Sequence, residues 1–364
     1  MLKNNESVLL ELPITTSEQN RFGGNNLVII WLAVCAFLIF AMIILGGVTR
    51  LTHSGLSMVE WRPLIGIIPP IGEVEWLNVF GQYKQSPEYQ QVNLGMSLSE
   101  FKSIFYFEYA HRVLGRLIGL VFLVPLLIFW YQKRLSRPLG ISLVSVFILG
   151  GLQGLLGWYM VKSGLVDEPR VSQYRLTAHL GLAAALFGTL LWIMTGVAIS
   201  NKVKELIHDQ RIKRIIFSLV VLIYLMILLG GLVAGLRAGL VWNTFPLMGD
   251  TFIPIGLYEQ SPWYLSIFED RTTVQFHHRM VAYCISALAA FLLVAVVRSD
   301  VSRPYKVIVV SWCLLIGSQV VLGILTLLKV VPVPLAALHQ GVALLVFGGG
   351  VILVRLSCFQ NAEK

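Results

Sequence analysis

Four histidines stand at corresponding places in a repeated pattern, each near the start of a long apolar segment. They are His111, His179, His278 and His339. Ionisable residues inside a membrane are costly, so by default they indicate a functional site. Two histidines that project between membrane helices can ligate one haem iron from its two faces. The two pairs therefore predict two haem sites, one in each half of the chain.

A structural role is the alternative for any single histidine, because a membrane histidine often forms an interhelical hydrogen bond. Four histidines at equivalent places favour ligation instead. His277 competes with His278, since adjacent residues point about 100° apart on a helix and cannot both face one iron. The repeat aligns His278 with His111, which favours His278. His53 ends the first apolar segment and is better explained as a polar loop residue.

Glu108 lies three residues before His111 and therefore on the same helix face. The structural reading is an acid in a first helical turn, which the helix dipole favours. The functional reading is a catalytic carboxylate held against the edge of a haem on His111. Gln275 occupies the corresponding place in the second half. This difference suggests that one site reacts while the other carries electrons.

Three arginines are candidates for contacts with haem propionates, because arginine binds carboxylates in a bidentate manner. They are Arg112, Arg116 and Arg279. Snorkelling to the outer membrane interface is the alternative. It suits Arg116 poorly, since Arg116 lies about two turns into its segment; whether Arg116 pairs with a propionate or with Glu108 stays open.

The composition indicates an integral membrane protein. Mean hydropathy is +0.76, and 13% of the 364 residues are charged, against about 25% in soluble proteins. The net charge of +9 needs no nucleic acid to explain it, because cytoplasmic loops collect Lys and Arg. The four cysteines form no loop pair and no CxxC motif, so neither a disulfide framework nor a zinc site is expected.

Eight segments are apolar enough to span a bilayer, which takes about 20 residues each. We place them at 27–48, 109–131, 139–161, 176–198, 215–236, 276–297, 307–328 and 335–354. The loops at 131–139, 199–214 and 298–306 are basic, so both termini are expected in the cytoplasm and all four histidines near the outer face. The start of the chain resembles neither a signal peptide nor a transit peptide, and a bacterial inner membrane is the simplest location.

The two halves match at several anchors. The matched segments are 43–48 with 227–232, 108–112 with 275–279, 153–157 with 319–323, and His179 with His339. Each unit holds four spans, so both face the same way. We therefore expect an all-α membrane protein made of two tandem four-helix bundles, related by a pseudo-two-fold axis along the membrane normal. The predicted divisions are a cytoplasmic tail (1–26), an N-terminal bundle (27–198), a cytoplasmic linker (199–214), a C-terminal bundle (215–356) and a cytoplasmic tail (357–364).

These motifs resemble the haem A synthase family, the cytochrome oxidase assembly enzymes, from about residue 27 to residue 355. The resemblance is carried by 46–52 with 54–57, 108–112, His179, 276–279 and 339–341. The long first outer loop lacks a cysteine pair, as in the alphaproteobacterial and mitochondrial branch. A thiol-based step proposed for other bacterial members therefore has no support here.

The resemblance implies oxidation of the C8 methyl group of haem O to a formyl group, by two successive hydroxylations. It also implies that His278 and His339 hold the iron of a haem b cofactor, while His111 and His179 hold the substrate haem O. Glu108 would then lie near the methyl group being oxidised. Membrane lipid, haem O synthase and an unidentified electron acceptor are the implied partners, and oligomeric state stays open.

Two other readings use the same sequence features. A di-haem b-type electron-transfer protein linked to quinol would use the same histidines but would tolerate Glu108→Gln. A transporter would suit the parallel repeat, but helices broken at mid-membrane are typical of that class, and Pro125 is the clearest mid-span proline.

Overall fold

The computed structural model describes residues 16–59, 68–165, 169, 171–199 and 209–358, with the backbone alone for 16–25. Its helices are α1 Thr16–Leu51, α2 Gly72–Tyr83, α3 Pro87–Gln91, α4 Leu98–Tyr131, α5 Arg137–Ser163, α6 Gln173–Ile199, α7 Gln210–Leu236, α8 Ser266–Glu269, α9 Arg271–Arg298, α10 Arg303–Leu328 and α11 Val333–Ser357. Short 3-10 turns cover Ala238–Leu240 and Trp263–Leu265. No strand occurs in these ranges, which confirms the all-α prediction.

Eight of the described helices are long and apolar enough to cross a membrane: α1, α4, α5, α6, α7, α9, α10 and α11. Every predicted span falls inside one of them. The predicted tails at 1–26 and 357–364 and the linker at 199–214 lie largely outside the described residues. All four cysteines are free; Cys35 and Cys313 are buried, and Cys284 and Cys358 are exposed.

The long helices begin where the chain supplies caps for their first N–H groups. The Asp270 carboxylate accepts from the backbone N–H of Thr273 at 2.6 Å and caps α9. Asp209 caps α7 in the same way. Helices α5, α10 and α11 carry proline in their first turns, where a missing N–H is tolerated.

Helix α4 begins at Leu98, well before the predicted start at 109. A capping box formed by Ser97 and Glu100 starts it. Its 34 residues span about 51 Å, more than the roughly 30 Å of a bilayer core. Its first turns therefore extend beyond the apolar layer. The helix continues through Pro125.

The extension of α4 packs against the segment that follows α1. Trp76, Phe80 and Tyr83 of α2 form a buried cluster with Phe101 and Phe105 of α4. We call this group the aromatic cluster. The prediction missed it because polar residues interrupt the apolar pattern there, although the aromatic side chains contact protein rather than lipid.

The membrane helices form two rings with the same order of neighbours. In the first, α1 contacts α4, α4 contacts α5, α5 contacts α6, and α6 returns to α1. In the second, α7, α9, α10 and α11 make the same circuit. The rings meet where α6 touches α7 and α11, and where α1 touches α11.

Contacts between the rings are reciprocal. A Cβ added at Gly188 would lie 2.8 Å from the ring of Phe347, and one added at Gly348 would lie 3.0 Å from the ring of Phe187. Gly188 and Gly348 occupy equivalent places in the repeat, and so do Phe187 and Phe347. A two-fold axis between the halves generates such pairs, so these contacts support the predicted symmetry. The direction of the axis and the division into bundles stay predictions.

Candidate functional site

The four histidines lie on α4, α6, α9 and α11, and all are partly buried. His111 lies close enough to His179 for the two side chains to interact electrostatically, and His278 lies in the same way near His339. The structure thus brings together the pairs that the repeat predicted, one pair in each ring. In every one of the four, the Nδ1 atom is buried and has no hydrogen-bond partner.

Each histidine ring lies against a glycine of a neighbouring helix. The pairs, with the distance from a Cβ added at the glycine to Cε1 of the ring, are His111–Gly46 (3.0 Å), His179–Gly157 (2.9 Å), His278–Gly230 (3.7 Å) and His339–Gly323 (2.9 Å). These glycines let the rings approach the adjacent backbone, and the three contacts at 2.9–3.0 Å leave little room to shift. All four belong to segments matched in the repeat, but their contact with the histidines was not predicted.

Two glutamines also reach the histidines, and the sequence identified them only as repeat anchors. The Gln153 side-chain amide donates to the backbone carbonyl of His179 at 2.9 Å. At the equivalent place, Nε2 of Gln319 lies 3.4 Å from Nε2 of His339. Both glutamines therefore help to position the second histidine of their pair.

The donor set fits haem. Among the described residues, no group of three or more His, Cys, Asp or Glu side chains could hold a metal ion, whereas zinc takes three or four protein ligands. Haem iron needs only axial ligands from protein, because the porphyrin supplies the others. A buried ring nitrogen without a hydrogen-bond partner is unfavourable. Contacts within the protein do not account for these four buried rings, whereas a ligand bound at the histidines would.

Glu108 is buried, with 4% of its surface exposed. Its Oε2 accepts from the Ser57 hydroxyl and from the Met58 backbone N–H, both at 2.8 Å. Its Oε1 forms an ion pair with Arg112 at 2.5 Å, and Arg112 also donates to the Met58 carbonyl at 2.9 Å. Three donors hold the carboxylate, so its position one turn from His111 is fixed.

The second ring repeats this arrangement without the acid. Trp242 follows the glycine pair at 230–231 by the same number of residues as Met58 follows the glycine pair at 46–47. The Trp242 carbonyl accepts from Nε2 of Gln275 at 2.9 Å and from Arg279 at 2.8 Å, and Arg279 also donates to the Leu247 carbonyl at 3.2 Å. The two halves thus share a scaffold but differ in charge.

Arg112 and Arg279 therefore contact the protein's own loops, and Arg116 lies one turn beyond Arg112 on α4. Their contacts with propionates stay a prediction.

The two remaining candidate histidines lie outside the pairs. Nε2 of His277 is 2.7 Å from the hydroxyl of Tyr258, which lies in the loop before α8. Nδ1 of His53 is 3.1 Å from Arg237, and His53 is exposed. Partial burial and the charges of Arg237 and Arg50 lower the pKa of His53. His277 and His53 thus contact polar neighbours outside the two pairs. His278, and not His277, is the residue that faces His339.

Comparison with known proteins gives the same picture over nearly the whole chain. A family model described as cytochrome oxidase assembly protein matches residues 29–350. A protein of Nitrosospira multiformis named heme A synthase is 48% identical over 339 residues, covering 92% of this chain and 94% of the relative.

Two further relatives carry the same name. The protein of Nitrosomonas eutropha is 44% identical over 345 residues, covering 94% of this chain and 97% of the relative. That of Agrobacterium fabrum is 42% identical over 351 residues, covering 96% and 94%.

Proposed function

The chain belongs to the haem A synthase family of cytochrome oxidase assembly proteins and converts haem O to haem A; we propose that it does so in its N-terminal half. There, His111 and His179 hold the substrate. The C8 methyl group is oxidised to a formyl group by two successive hydroxylations, and the geminal diol that results loses water.

The observation that carries this assignment is the difference between Glu108 and Gln275. Both side chains stand one turn before a paired histidine, beside an arginine bonded to a loop carbonyl. Only the N-terminal side chain is an acid. Where a methyl group is oxidised by stepwise loss of electrons and protons, a base or a negative charge near the carbon assists the reaction, and an amide supplies neither. An electron-carrying site needs no such group.

In the C-terminal half, His278 and His339 are the proposed axial ligands of a haem b cofactor. When bound, haem b supplies one-electron redox chemistry. Gln319 and Gly323 position the ring of His339. The neutral Gln275 leaves this half without an acid at the place that Glu108 occupies in the other.

Glu108 performs its role through its fixed position. Arg112, Ser57 and Met58 hold the carboxylate, so it does not need to reorganise when charge develops on the substrate. It stabilises positive charge or takes a proton as the methyl group is oxidised. The segment 54–58 covers the carboxylate and limits the access of water.

The chain is a multi-pass membrane protein, and we place it in the bacterial inner membrane with both termini cytoplasmic. The basic loops support this orientation, which puts the histidines near the outer face. Haem passes poorly through water, so we propose that haem O synthase delivers the substrate within the lipid. The electrons leave to an acceptor that this chain does not identify.

The test is to express the chain with haem O synthase in a host that makes no haem A, and to analyse pigments by pyridine haemochrome spectra and chromatography. The wild type is expected to yield haem A. Glu108→Gln is expected to yield haem B and haem O only, and Gln275→Glu, the matched change in the other half, should still yield haem A.

Bound haem B is the folding control for each variant. Haem A from Glu108→Gln at the wild-type level would overturn the role of Glu108. Bound haem B without haem A from any protein, the wild type included, would favour the di-haem electron-transfer reading.

A further inference from the structure

A short helix in the loop between α1 and α4 exposes apolar side chains. Helix α2 turns one side to α4, where Trp76, Phe80 and Tyr83 join the aromatic cluster. The opposite side and the residues leading into the helix are also apolar, with exposed fractions of 71%, 70%, 82% and 52% for Ile68, Ile71, Val74 and Leu77. We call these four residues the apolar face of α2. Contiguous exposed apolar surface marks an interaction site.

The length of α4 sets the height of α2 above the bilayer core. Helix α4 ends at Tyr131, beside the basic loop at 131–139. A core of about 30 Å takes about 20 of its residues, so the far edge of the core lies near Arg112. Phe105 then stands about 10 Å beyond that edge and Phe101 about 16 Å. The headgroup layer is about 5–8 Å thick on each side, so α2 packs on α4 just outside the core.

Helix α2 rises away from the bilayer along α4. Its Trp76 ring lies 5.0 Å from the ring of Phe105, between centroids. Further along the helix, Tyr83 stacks on Phe101 at 4.9 Å, so the start of α2 is the end nearer the core. Ile71 precedes Trp76 by more than one helical turn and therefore lies about 7 Å nearer the core, within the headgroup layer.

The apolar face of α2 continues the lipid-facing surface of α4. Tyr106 of α4 packs on Trp76, with ring centroids 5.5 Å apart, and is itself exposed. Two acids in the first turn of α2, Glu73 and Glu75, lie about 100° to either side of Val74. Their carboxylates can therefore stay in the polar headgroup layer while Val74 reaches the acyl chains.

We propose that the apolar face of α2 is inserted into the membrane leaflet nearest the four histidines, among the lipid headgroups and the first part of the acyl chains. The driving force is the removal of apolar surface from water, and helices that lie in this layer bury such a face about 5–10 Å deep. Met58 packs against the aromatic cluster on the other side of α2 and donates its backbone N–H to Glu108. The lipid contact therefore also supports the segment that covers Glu108.

The experiment measures the depth of nitroxide labels on the full chain in nanodiscs of phosphatidylethanolamine and phosphatidylglycerol. The exposed Cys284 and Cys358 are changed to serine, and a single cysteine is placed in turn on the apolar face, by Ile71→Cys, Val74→Cys or Leu77→Cys. Power-saturation electron paramagnetic resonance gives the collision rate of each label with oxygen, which concentrates in lipid, and with a water-soluble nickel complex. The ratio of the two rates should fall from Ile71→Cys through Val74→Cys to Leu77→Cys, as the helix rises out of the layer.

Two control positions calibrate the ratio. Leu120→Cys reports lipid, because Leu120 is exposed well inside the span of α4. Leu94→Cys reports water: Leu94 is an exposed apolar residue of the same loop, but its neighbour Asn93 donates to the Tyr83 hydroxyl at 2.7 Å, at the height of Phe101. The ratio at Val74→Cys should be severalfold higher than at Leu94→Cys. The labelled background protein corrects for any reaction of the two buried cysteines.

Nickel collisions at Val74→Cys as frequent as at Leu94→Cys would overturn the lipid contact. Labels shielded from both oxygen and nickel would overturn it as well, because protein, such as a second copy of this chain, would then cover the face. A ratio that rises from Ile71→Cys to Leu77→Cys would contradict the orientation of α2. Each labelled protein must keep the melting temperature of the background, and if one variant does not, the other two positions decide.

Discussion

One added methyl group behind His339 should displace its ring. In Gly323→Ala, the new Cβ would lie 2.9 Å from Cε1 of His339, whereas carbon atoms in good contact are about 3.5–4.0 Å apart. The ring must therefore move by about 0.6–1.1 Å. Functional geometry tolerates displacements of about 0.5 Å, and disturbed support of a metal ligand typically costs about 10–100-fold in affinity. We expect haem b occupancy to fall within that range.

The fold itself should not suffer from this change. Alanine favours a helix over glycine by about 1 kcal/mol, so helix α10 gains intrinsic stability. Gly230→Ala is the matched control, since its Cβ would lie 3.7 Å from His278, an ordinary contact. Both variants add one methyl group behind a ligand of the same proposed haem.

The assay is a haem titration of purified protein in detergent, followed by the reduced-minus-oxidised visible spectrum and by low-temperature electron paramagnetic resonance. Gly323→Ala should bind haem b weakly and lose the bis-histidine signal, while Gly230→Ala should match the wild type. Equal binding by both variants would refute the idea that the glycine sets the ring position. Equal loss in both would show that α7 and α10 tolerate no side chain, whatever the histidine distance.

Two other predictions concern the ring interface and pH. Gly188→Val and Gly348→Val should each destabilise the protein by about 1–3 kcal/mol through overpacking, against Phe347 in the first variant and against Leu191 and Phe187 in the second; thermal unfolding in detergent measures this. His53 has a lowered pKa in the folded protein, so the unfolded chain binds the extra proton first as pH falls below about 6.5. Stability should therefore decline through that region, and the decline should be smaller in His53→Gln.

Each of these predictions has a control. Gly317→Val serves for the interface, because nothing lies within 4 Å of a Cβ added there, and it should have little effect. A loss of stability in only one of Gly188→Val and Gly348→Val would argue against reciprocal contacts between the rings. A melting temperature that rises on acidification, or one with the same pH dependence in His53→Gln, would contradict the electrostatic account of His53.

The apolar patterning predicted all eight membrane helices because burial in lipid constrains every turn of a span. It could not predict the start of α4, where aromatic residues contact α2 and polar residues break the pattern. The pairing of His111 with His179 followed from the repeat, because equivalent helices in two rings place equivalent residues alike. Two of the three partners of Glu108 could not be foreseen, since Ser57 and Met58 come from an irregular segment far away in the chain.

The glycines behind the histidines show the same limit. Sequence alone explains a Gly-Gly pair by close helix approach, without saying which side chain occupies the space. Gly157 and Gly323 were recognised only as repeat anchors, and their role became visible once the helices were placed. Roles that depend on a single interhelical distance need the structure, whereas roles that depend on periodicity do not.

The reciprocal contact between the rings has an evolutionary consequence. Each half carries both sides of its own interface, a phenylalanine followed by a glycine, at 187–188 and at 347–348. Such a surface is self-complementary, as in an isologous homodimer. An ancestral four-helix chain could therefore have paired with a second copy before the two were fused. After fusion, one half could keep the acid while the other half replaced it with an amide. Two identical subunits could not differ in this way.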